Sequence, residues 1–286
     1  MSGGFFLYSL LFASSEEAAH VDVASHASGP ASHASAAMPE VGNLITLLNS
    51  WFEHNPIIHF LHQWENPFYS LVAASLILFV FSFAIRKRSL IPGRLQSFAE
   101  ITIEWLDSIV FEIIGHRGRE FTPFIATIFV FILVQNMFGI IPLMKAPTSS
   151  INTTFALALC VFLYVQFIGI TKNGILGYFH HLAGSPQDAV GWLLSPLMFV
   201  LHVLGEFIKP ISLSLRLFGN IMGEDTLIGV FAGLGIVLLS FMHSPVGVPL
   251  QFPIMLLSLL LGTIQALVFT LLSTIYIFLM LPHEEH

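Results

Sequence analysis

The chain has 286 residues, of which 55% are hydrophobic and only 9% are charged. Soluble domains carry about a quarter charged residues, so this composition excludes a soluble protein and indicates an all-α integral membrane protein. The net charge of −7 argues against nucleic acid as a partner. Cys160 is the single cysteine, which excludes a disulfide framework and a thiolate metal site.

The first 50 residues are expected to form an external tail ahead of a membrane domain over residues 51–286. The stretch GGFFLYSLLFASS has the short apolar core of a signal peptide, but no basic residue precedes it. Residues 16–40 are rich in alanine, serine and histidine and have too little bulk to pack a core. We interpret them as a solvated tail. Metal binding by the histidines is the weaker alternative, because nothing fixes their geometry.

The first predicted span covers residues 67–85, close to the roughly 20 apolar residues that a helix needs to cross a bilayer. Arg86, Lys87 and Arg88 follow it at once, whereas residues 1–85 contain no lysine or arginine. Cytoplasmic loops carry an excess of these two residues. The N-terminus is therefore predicted to lie outside and residues 86–94 inside.

An amphipathic helix at the cytoplasmic surface is predicted between Arg94 and Gly115. Its apolar residues recur at helical spacing on one face, and its acidic residues group on another. The apolar positions are Leu95, Phe98, Leu106, Ile109 and Ile113, and the acidic ones are Glu100, Glu104 and Asp107. Arg117 and Arg119 follow the helix and favour the same inside location.

Two further spans are expected over residues 121–141 and 155–170, joined by an outside loop with the sequence PLMKAPTSSINTT. Lys172 marks the return to the inside. Residues 172–195 are then predicted to form a cytoplasmic loop. His180 and His181 in this loop are interpreted as ordinary surface residues.

Two long apolar segments complete the chain, over residues 196–239 and 250–281. At 1.5 Å per residue the second would be about 48 Å long, which exceeds the thickness of the hydrocarbon core. The first is longer still, so it is either a helical hairpin or one steeply inclined helix. The total is about five membrane-embedded helices plus the surface helix, with the C-terminus in the cytoplasm.

Strongly polar side chains follow one line along the first long segment. At about 100° per residue of an α-helix, six of them fall within an arc of about 80°. This polar stripe consists of His202, Glu206, Lys209, Arg216, Asn220 and Glu224, and Asp225 lies outside it. An ionised side chain at mid-membrane costs at least about 2.5–3.5 kcal/mol and usually marks an ion or substrate path. A structural Arg–Glu lock between two helices is the alternative, but six aligned groups exceed what a lock requires.

The central cation of the stripe is an arginine, Arg216. Arginine keeps its proton in proteins, whereas a buried lysine can lose it and carry protons. A permanent positive charge suits a site that blocks a direct proton leak and draws the proton from a partner's acid. Gln265 is the one strongly polar side chain inside the last segment. Its amide is expected either to bond the guanidinium or simply to join two helices.

The sequences KPISLSLRLFGNI and GTIQALVF, in the last two segments, resemble subunit a of the F-type ATP synthase membrane sector, CF(0). The resemblance covers most of the chain from about residue 65. It implies a proton-translocating stator subunit in the inner (plasma) membrane of a bacterium, with no cofactor and no catalytic site of its own. The implied partners are a ring of c subunits, b-type peripheral stalk subunits and the rest of the synthase. The resemblance also favours inclined single helices for the two long segments.

The resemblance implies roles for individual residues. Arg216 would separate two aqueous half-channels, with Asn220 as its near neighbour and Gln265 as its polar partner on the last helix. Family members often carry Glu or His nine residues after the arginine and a protonatable residue seven before the glutamine. This chain has Asp225 and Ser258 at those places. Whether Glu224 or Asp225 lines the outer path therefore stays open.

The inner path also departs from the family pattern. An acid is frequent fourteen residues before the arginine, where this chain has His202, and Glu206 lies one turn further on. We expect His202 and Glu206 to serve the proton exit, since both side chains can bind and release a proton.

Two other functions fit parts of the pattern. A secondary transporter would also have broken helices and intramembrane charges, but it predicts inverted repeats that the two halves do not show. An intramembrane metal enzyme needs closely spaced ligands within spans, and His202 is the only histidine well inside one.

Overall fold

The computed structural model describes residues 45, 56–86, 93–141, 144–184, 189–240 and 251–281. Within these ranges the regular structure is helical, as the sequence predicted. Apart from Ile45, the predicted external tail over residues 1–50 lies outside the described part of the chain.

The first long apolar helix follows a short one. Helix α1 is Pro56–Gln63, and α2 is Glu65–Arg86, which confirms the span predicted over residues 67–85. Leu71, Leu78 and Phe79 are exposed on α2. Such a surface is expected of a helix that faces lipid or another subunit, because neither surrounding penalises apolar groups.

The predicted amphipathic helix is present as α3, Arg94–Ile114, followed by a 3₁₀ helix, His116–Glu120. Leu106 and Val110 are buried against the bundle. Phe98, predicted to share their apolar face, is instead 74% exposed. It lies in the first two turns of α3, about two turns before Leu106. The second half of the helix is therefore the part that packs against the bundle.

Helix α4, Thr122–Phe138, corresponds to the span predicted over residues 121–141. Its 17 residues make it about 26 Å long, slightly shorter than the hydrocarbon core. The loop that follows contains a 3₁₀ helix, Pro147–Ser149. Thr148 in this short helix is fully buried, so the loop packs into the bundle.

Helix α5, Ile151–Leu182, extends beyond the predicted span and changes direction at Gly174, where φ is 70° and ψ is 163°. The prediction of a loop over residues 172–195 is therefore wrong for most of its length, since this helix continues to Leu182 and the next helix begins at Ala189. Glycine lacks the Cβ that makes this backbone conformation unfavourable for other residues, and so allows two helical pieces to join directly. His180 is exposed, as predicted.

The two long segments are single helices. Helix α6 is Ala189–Ser240, and α7 is Gln251–Met280, so the hairpin alternative for the first segment is excluded. Pro196 and Pro210 lie inside α6 without ending it. With 52 residues α6 is about 78 Å long, so it exceeds the thickness of a bilayer and must tilt, bend or protrude from it.

The core forms where α4, α5, α6 and α7 meet. Ile132, Val165, Leu217 and Phe269, one from each helix, belong to a single buried cluster. Within the described ranges four helices, α2, α5, α6 and α7, are long and apolar enough to cross a membrane, and α4 is a shorter apolar helix. Together they match the predicted count of about five embedded helices.

Polar contacts tie one end of the bundle together. Lys172 Nζ on α5 donates a hydrogen bond to Glu120 Oε2 at 2.8 Å and lowers the pKa of that carboxyl. Asn173 Nδ2 donates to the Met280 carbonyl oxygen at 2.8 Å, at the end of α7. The 3₁₀ helix after α3, the bend in α5 and the last turn of α7 therefore lie at the same end.

Candidate functional site

The polar stripe runs along the border of the buried face of α6. With Glu206 at zero and about 100° per residue, the buried Leu213, Leu217 and Ile221 fall at about 340°, 20° and 60°. The stripe covers about 280° to 360°, so it adjoins this face. Arg216 lies farthest from the centre of the buried face and is exposed. Glu224 lies close to that centre and is only 8% exposed.

Arg216 lies on α6 between residues that pack in the core. Its neighbours Leu213 and Leu217 are buried in the core, and Leu215 beside it is exposed. No hydrogen bond or ion pair in the described ranges engages the Arg216 guanidinium. An exposed cation in an apolar segment, with no partner among the described residues, requires a counter-charge from elsewhere or contact with water.

Two members of the stripe pair with each other. Lys209 donates a hydrogen bond to Glu206 Oε1, and both side chains are largely buried. Gln166 Nε2 on α5 donates to the other carboxylate oxygen of Glu206 at 3.0 Å. This ion pair therefore forms within the stripe itself.

Gln166 and two tyrosines are the contacts that sequence reasoning missed. The Tyr178 hydroxyl donates to Gln166 Oε1, and Lys209 Nζ lies 5.2 Å from the centroid of the Tyr276 ring. Gln166 was detectable as an amide inside a predicted span, although its partner on α6 was not. His202, one turn before Glu206, is exposed, and its Nδ1 lies 2.9 Å from the Met198 carbonyl oxygen.

The two acids beyond Arg216 face different helices. Asn220 Nδ2 donates to Glu224 Oε1 at 2.8 Å. Ser258 on α7 lies beside the Glu224 carboxyl, although its hydroxyl makes no hydrogen bond of good geometry. Asp225 points instead to the end of α4, where a Cβ built on Gly139 would lie 3.6 Å from Asp225 Oδ1.

The hydrogen bond expected between Gln265 and Arg216 is absent from the described structure. Gln265 is buried on α7, with no partner for its Nε2 among the described residues, whereas Arg216 is exposed. The rotation of each helix about its axis, which sequence periodicity leaves undetermined, separates the two groups. Gln265 therefore has an unused donor inside the bundle.

Further buried polar groups lie where α4 ends. Asn136 Nδ2 donates to the Gly262 carbonyl oxygen of α7 at 3.0 Å, and Thr148 Oγ1 donates to Asn136 Oδ1 at 2.9 Å. A Cβ on Gly262 would lie 3.3 Å from Asn136 Cβ, so α4 and α7 approach closely here. Gln135 is fully buried, and neither polar atom of its side chain has a partner in the described part of the chain.

The described residues contain no group of three or more His, Cys, Asp or Glu that would hold a metal ion. The site is therefore a line of acids, amides and cations on α6, with its central arginine exposed. Such a line is chemically suited to passing protons and to holding a carboxylate that belongs to another molecule.

The chain is similar to one family of known proteins. The family model described as ATP synthase A chain matches residues 67–278. ATP synthase subunit a of Protochlamydia amoebophila is 48% identical over 248 residues, which cover 87% of this chain and 91% of that protein. ATP synthase subunit a 3 of Pelobacter propionicus is 41% identical over 209 residues, covering 73% and 84%. ATP synthase subunit a of Moorella thermoacetica is 40% identical over 225 residues, covering 77% and 94%.

Proposed function

The chain belongs to the ATP synthase A chain family, and we propose that it is the proton-translocating stator of an F-type synthase, working against a ring of c subunits. One observation carries the proposal. Arg216 is an exposed cation without a partner among the described residues, in an apolar helix long enough to cross the membrane. A carboxylate on the ring would supply the missing counter-ion as it passes. The alternative of a secondary transporter has no comparable support from the family comparisons.

Arg216 divides the line of polar groups into two half-channels. His202, Glu206 and Lys209 lie on the N-terminal side of Arg216 along α6, where the inner path runs. His202 is exposed and passes protons there, whereas Glu206 and Lys209 pair with each other. On the other side, the outer path is lined by Asn220, Glu224 and Asp225 on α6. At 1.5 Å per residue, Glu224 lies about 12 Å beyond Arg216 along the axis, and Glu206 about 15 Å before it.

Each half-channel performs one proton transfer. A proton from the outer side reaches a ring carboxylate near the Asn220–Glu224 pair and neutralises it. The neutral carboxyl then travels through lipid and releases its proton into the inner path, because the fixed charge of Arg216 favours the ionised form. Arginine keeps its own proton and so blocks a direct leak between the paths. A membrane potential of 100 mV contributes about 2.3 kcal/mol per proton.

The chain is a membrane protein whose similar proteins are bacterial, and we place it in a bacterial plasma membrane. The bundle end that carries Arg117, Arg119 and Lys172 would face the cytoplasm, as the excess of basic residues there favours. The hydrogen bond from Asn173 to Met280 brings the end of α7 to that side as well. The N-terminus would then lie outside, and b-type stalk subunits would cover part of the exposed apolar surface.

Substitution of Arg216 tests the proposal. Arg216→Ala is expected to abolish proton-driven ATP synthesis in inverted membrane vesicles while the c ring still co-purifies, because the ring carboxylate loses the counter-charge that Arg216 supplies. Arg216→Lys is expected to restore little, since lysine can release its proton. Arg94→Ala, which removes an exposed arginine of α3, is the matched control. Normal synthesis in Arg216→Ala would contradict the proposed function.

The outer path is tested at its two acids. Glu224→Gln and Asp225→Asn are expected to slow passive proton uptake by vesicles from which the catalytic sector has been stripped. The larger loss identifies the acid that carries protons. Flux equal to that of the native chain in both variants would show that the outer path lies elsewhere.

A further inference from the structure

A chain of hydrogen bonds crosses from α5 to α6. The Tyr178 hydroxyl donates to Gln166 Oε1, and Gln166 Nε2 donates to Glu206 Oε2 at 3.0 Å. Lys209 donates to the other oxygen, Glu206 Oε1. We call Tyr178, Gln166, Glu206 and Lys209 the positioning chain. Both oxygens of the carboxylate are thus occupied by donors from two helices.

The bend in α5 makes this arrangement possible. Residues 166 and 178 would lie about 18 Å apart along a straight helix, too far for their side chains to meet. Gly174, with φ of 70°, turns the last part of α5 back toward the bundle. Gly169 leaves room for the ring, since a Cβ there would lie 3.2 Å from Tyr178 Cε2. Gly174 and Gly169 therefore allow the Tyr178 hydroxyl to reach Gln166.

All the hydrogen bonds of the positioning chain point toward one carboxylate. The hydroxyl donates to the amide oxygen, the amide nitrogen donates to Glu206, and the ammonium donates to Glu206. The Glu206 carboxylate and the Lys209 ammonium then form a fixed pair with no net charge.

This neutral pair lies on the same stripe as the exposed arginine. Lys209 precedes Arg216 by seven residues, which is about 10 Å along α6. On the basis of the proposed function, we infer that Gln166 and Tyr178 are positioning residues: they hold Glu206 on Lys209, so that a passing ring carboxylate meets one uncompensated cation, Arg216, instead of two.

An unpaired Lys209 would interfere with rotation. Charges about 10 Å apart still interact appreciably near a protein surface, because the effective dielectric constant there is about 20. A second free cation would hold the ring carboxylate ionised away from Arg216 and delay its movement. An unpaired Glu206 would have the opposite effect, because its negative charge would weaken the attraction between Arg216 and the ring carboxylate.

The inference is tested by a double-mutant cycle in the assembled synthase, in inverted membrane vesicles. Glu206→Gln and Lys209→Gln should each slow ATP synthesis and ATP-driven proton pumping about tenfold, as expected for one uncompensated charge at this distance. The double variant should recover most of the rate lost in either single variant. Retention of the c ring in the purified complex checks that each variant assembles.

The two positioning residues are tested through the same pair. Tyr178→Phe and Gln166→Met should each slow synthesis in the native background, because they release Glu206. The same substitutions should have no further effect in the Glu206→Gln/Lys209→Gln background, whereas a role in packing alone would persist there. Tyr164→Phe is the matched control, since Tyr164 lies on the same helix and stacks on Phe124 outside the positioning chain.

Two results would overturn the inference. Additive losses in the cycle would show that Glu206 and Lys209 act independently. A double variant as slow as Glu206→Gln would show that the Glu206 carboxylate is itself required as a proton carrier. Arg216→Ala measured in the same vesicles separates this inference from the proposed function: if that variant abolishes synthesis while the cycle is additive, only the positioning role fails.

Discussion

Thr148→Val removes one buried hydrogen bond and leaves the shape of the side chain unchanged. The Thr148 side chain is fully buried, and its hydroxyl donates to Asn136 Oδ1 at 2.9 Å. Asn136 in turn bonds the Gly262 carbonyl oxygen, so the hydroxyl supports a contact among the 3₁₀ helix, α4 and α7. Valine has nearly the same volume as threonine, so packing against neighbouring groups is retained.

The expected loss follows from two contributions. A buried hydrogen bond is worth about 0.5–1.5 kcal/mol, and an acceptor left unpaired costs about 1–3 kcal/mol. Measured hydrogen bonds between membrane helices average about 0.6 kcal/mol and reach about 1.7 kcal/mol. We therefore expect Thr148→Val to lower the free energy of unfolding by about 1–2 kcal/mol, close to a tenfold change in the unfolding equilibrium constant.

Denaturation with sodium dodecyl sulfate in mixed micelles, followed by helical circular dichroism, measures this loss. Thr127→Val is the matched control, because the Thr127 hydroxyl is exposed and bonds only the Pro123 carbonyl oxygen of its own helix. It should change the free energy of unfolding by less than about 0.5 kcal/mol. If the two variants unfolded alike, the buried network would not stabilise the bundle and our reasoning would be refuted.

Two more predictions concern the cytoplasmic end proposed above. Gly174→Ala should lower the free energy of unfolding by about 1–3 kcal/mol, because a φ of 70° with a ψ of 163° is almost restricted to glycine. Gly177→Ala, in the helical turn that follows, is the control and should not lower the free energy of unfolding. Lys172→Gln should lower stability at pH 7 and have little effect at strongly acidic pH. Lys172 lowers the pKa of Glu120 below its usual 4.5, so the stabilisation is present above the unfolded-state pKa and disappears as pH falls through the folded-state pKa. Thermal unfolding midpoints of both proteins across pH 3–7 test this, and an unchanged difference over the whole range would contradict it.

Hydropathy and helical periodicity predicted much of this molecule. The span at α2, the surface helix α3 and the polar stripe on α6 all follow from apolar run length and a period of 3.6 residues. These features depend on one helix at a time. Arg216 stood out for the same reason, because a charge within an apolar run is conspicuous without knowledge of its neighbours.

Features that depend on two helices were not predictable in this way. The sequence shows a glutamine at position 166 and a glutamate at position 206, but their contact depends on how α5 and α6 are rotated and offset. The expected bond from Gln265 to Arg216 failed for the same reason. The continuation of α5 past Lys172 depends on the backbone angles of Gly174, a residue type that is common at helix ends.

The unbroken course of α6 has a mechanical consequence. Its backbone is helical from Ala189 to Ser240 and has no proline after Pro210, so a push at Arg216 is shared by neighbouring helices through buried contacts such as Leu213, Leu217 and Ile221. Packed interiors have low compressibility. A rotor that turned against this helix would therefore lose little work to deforming it.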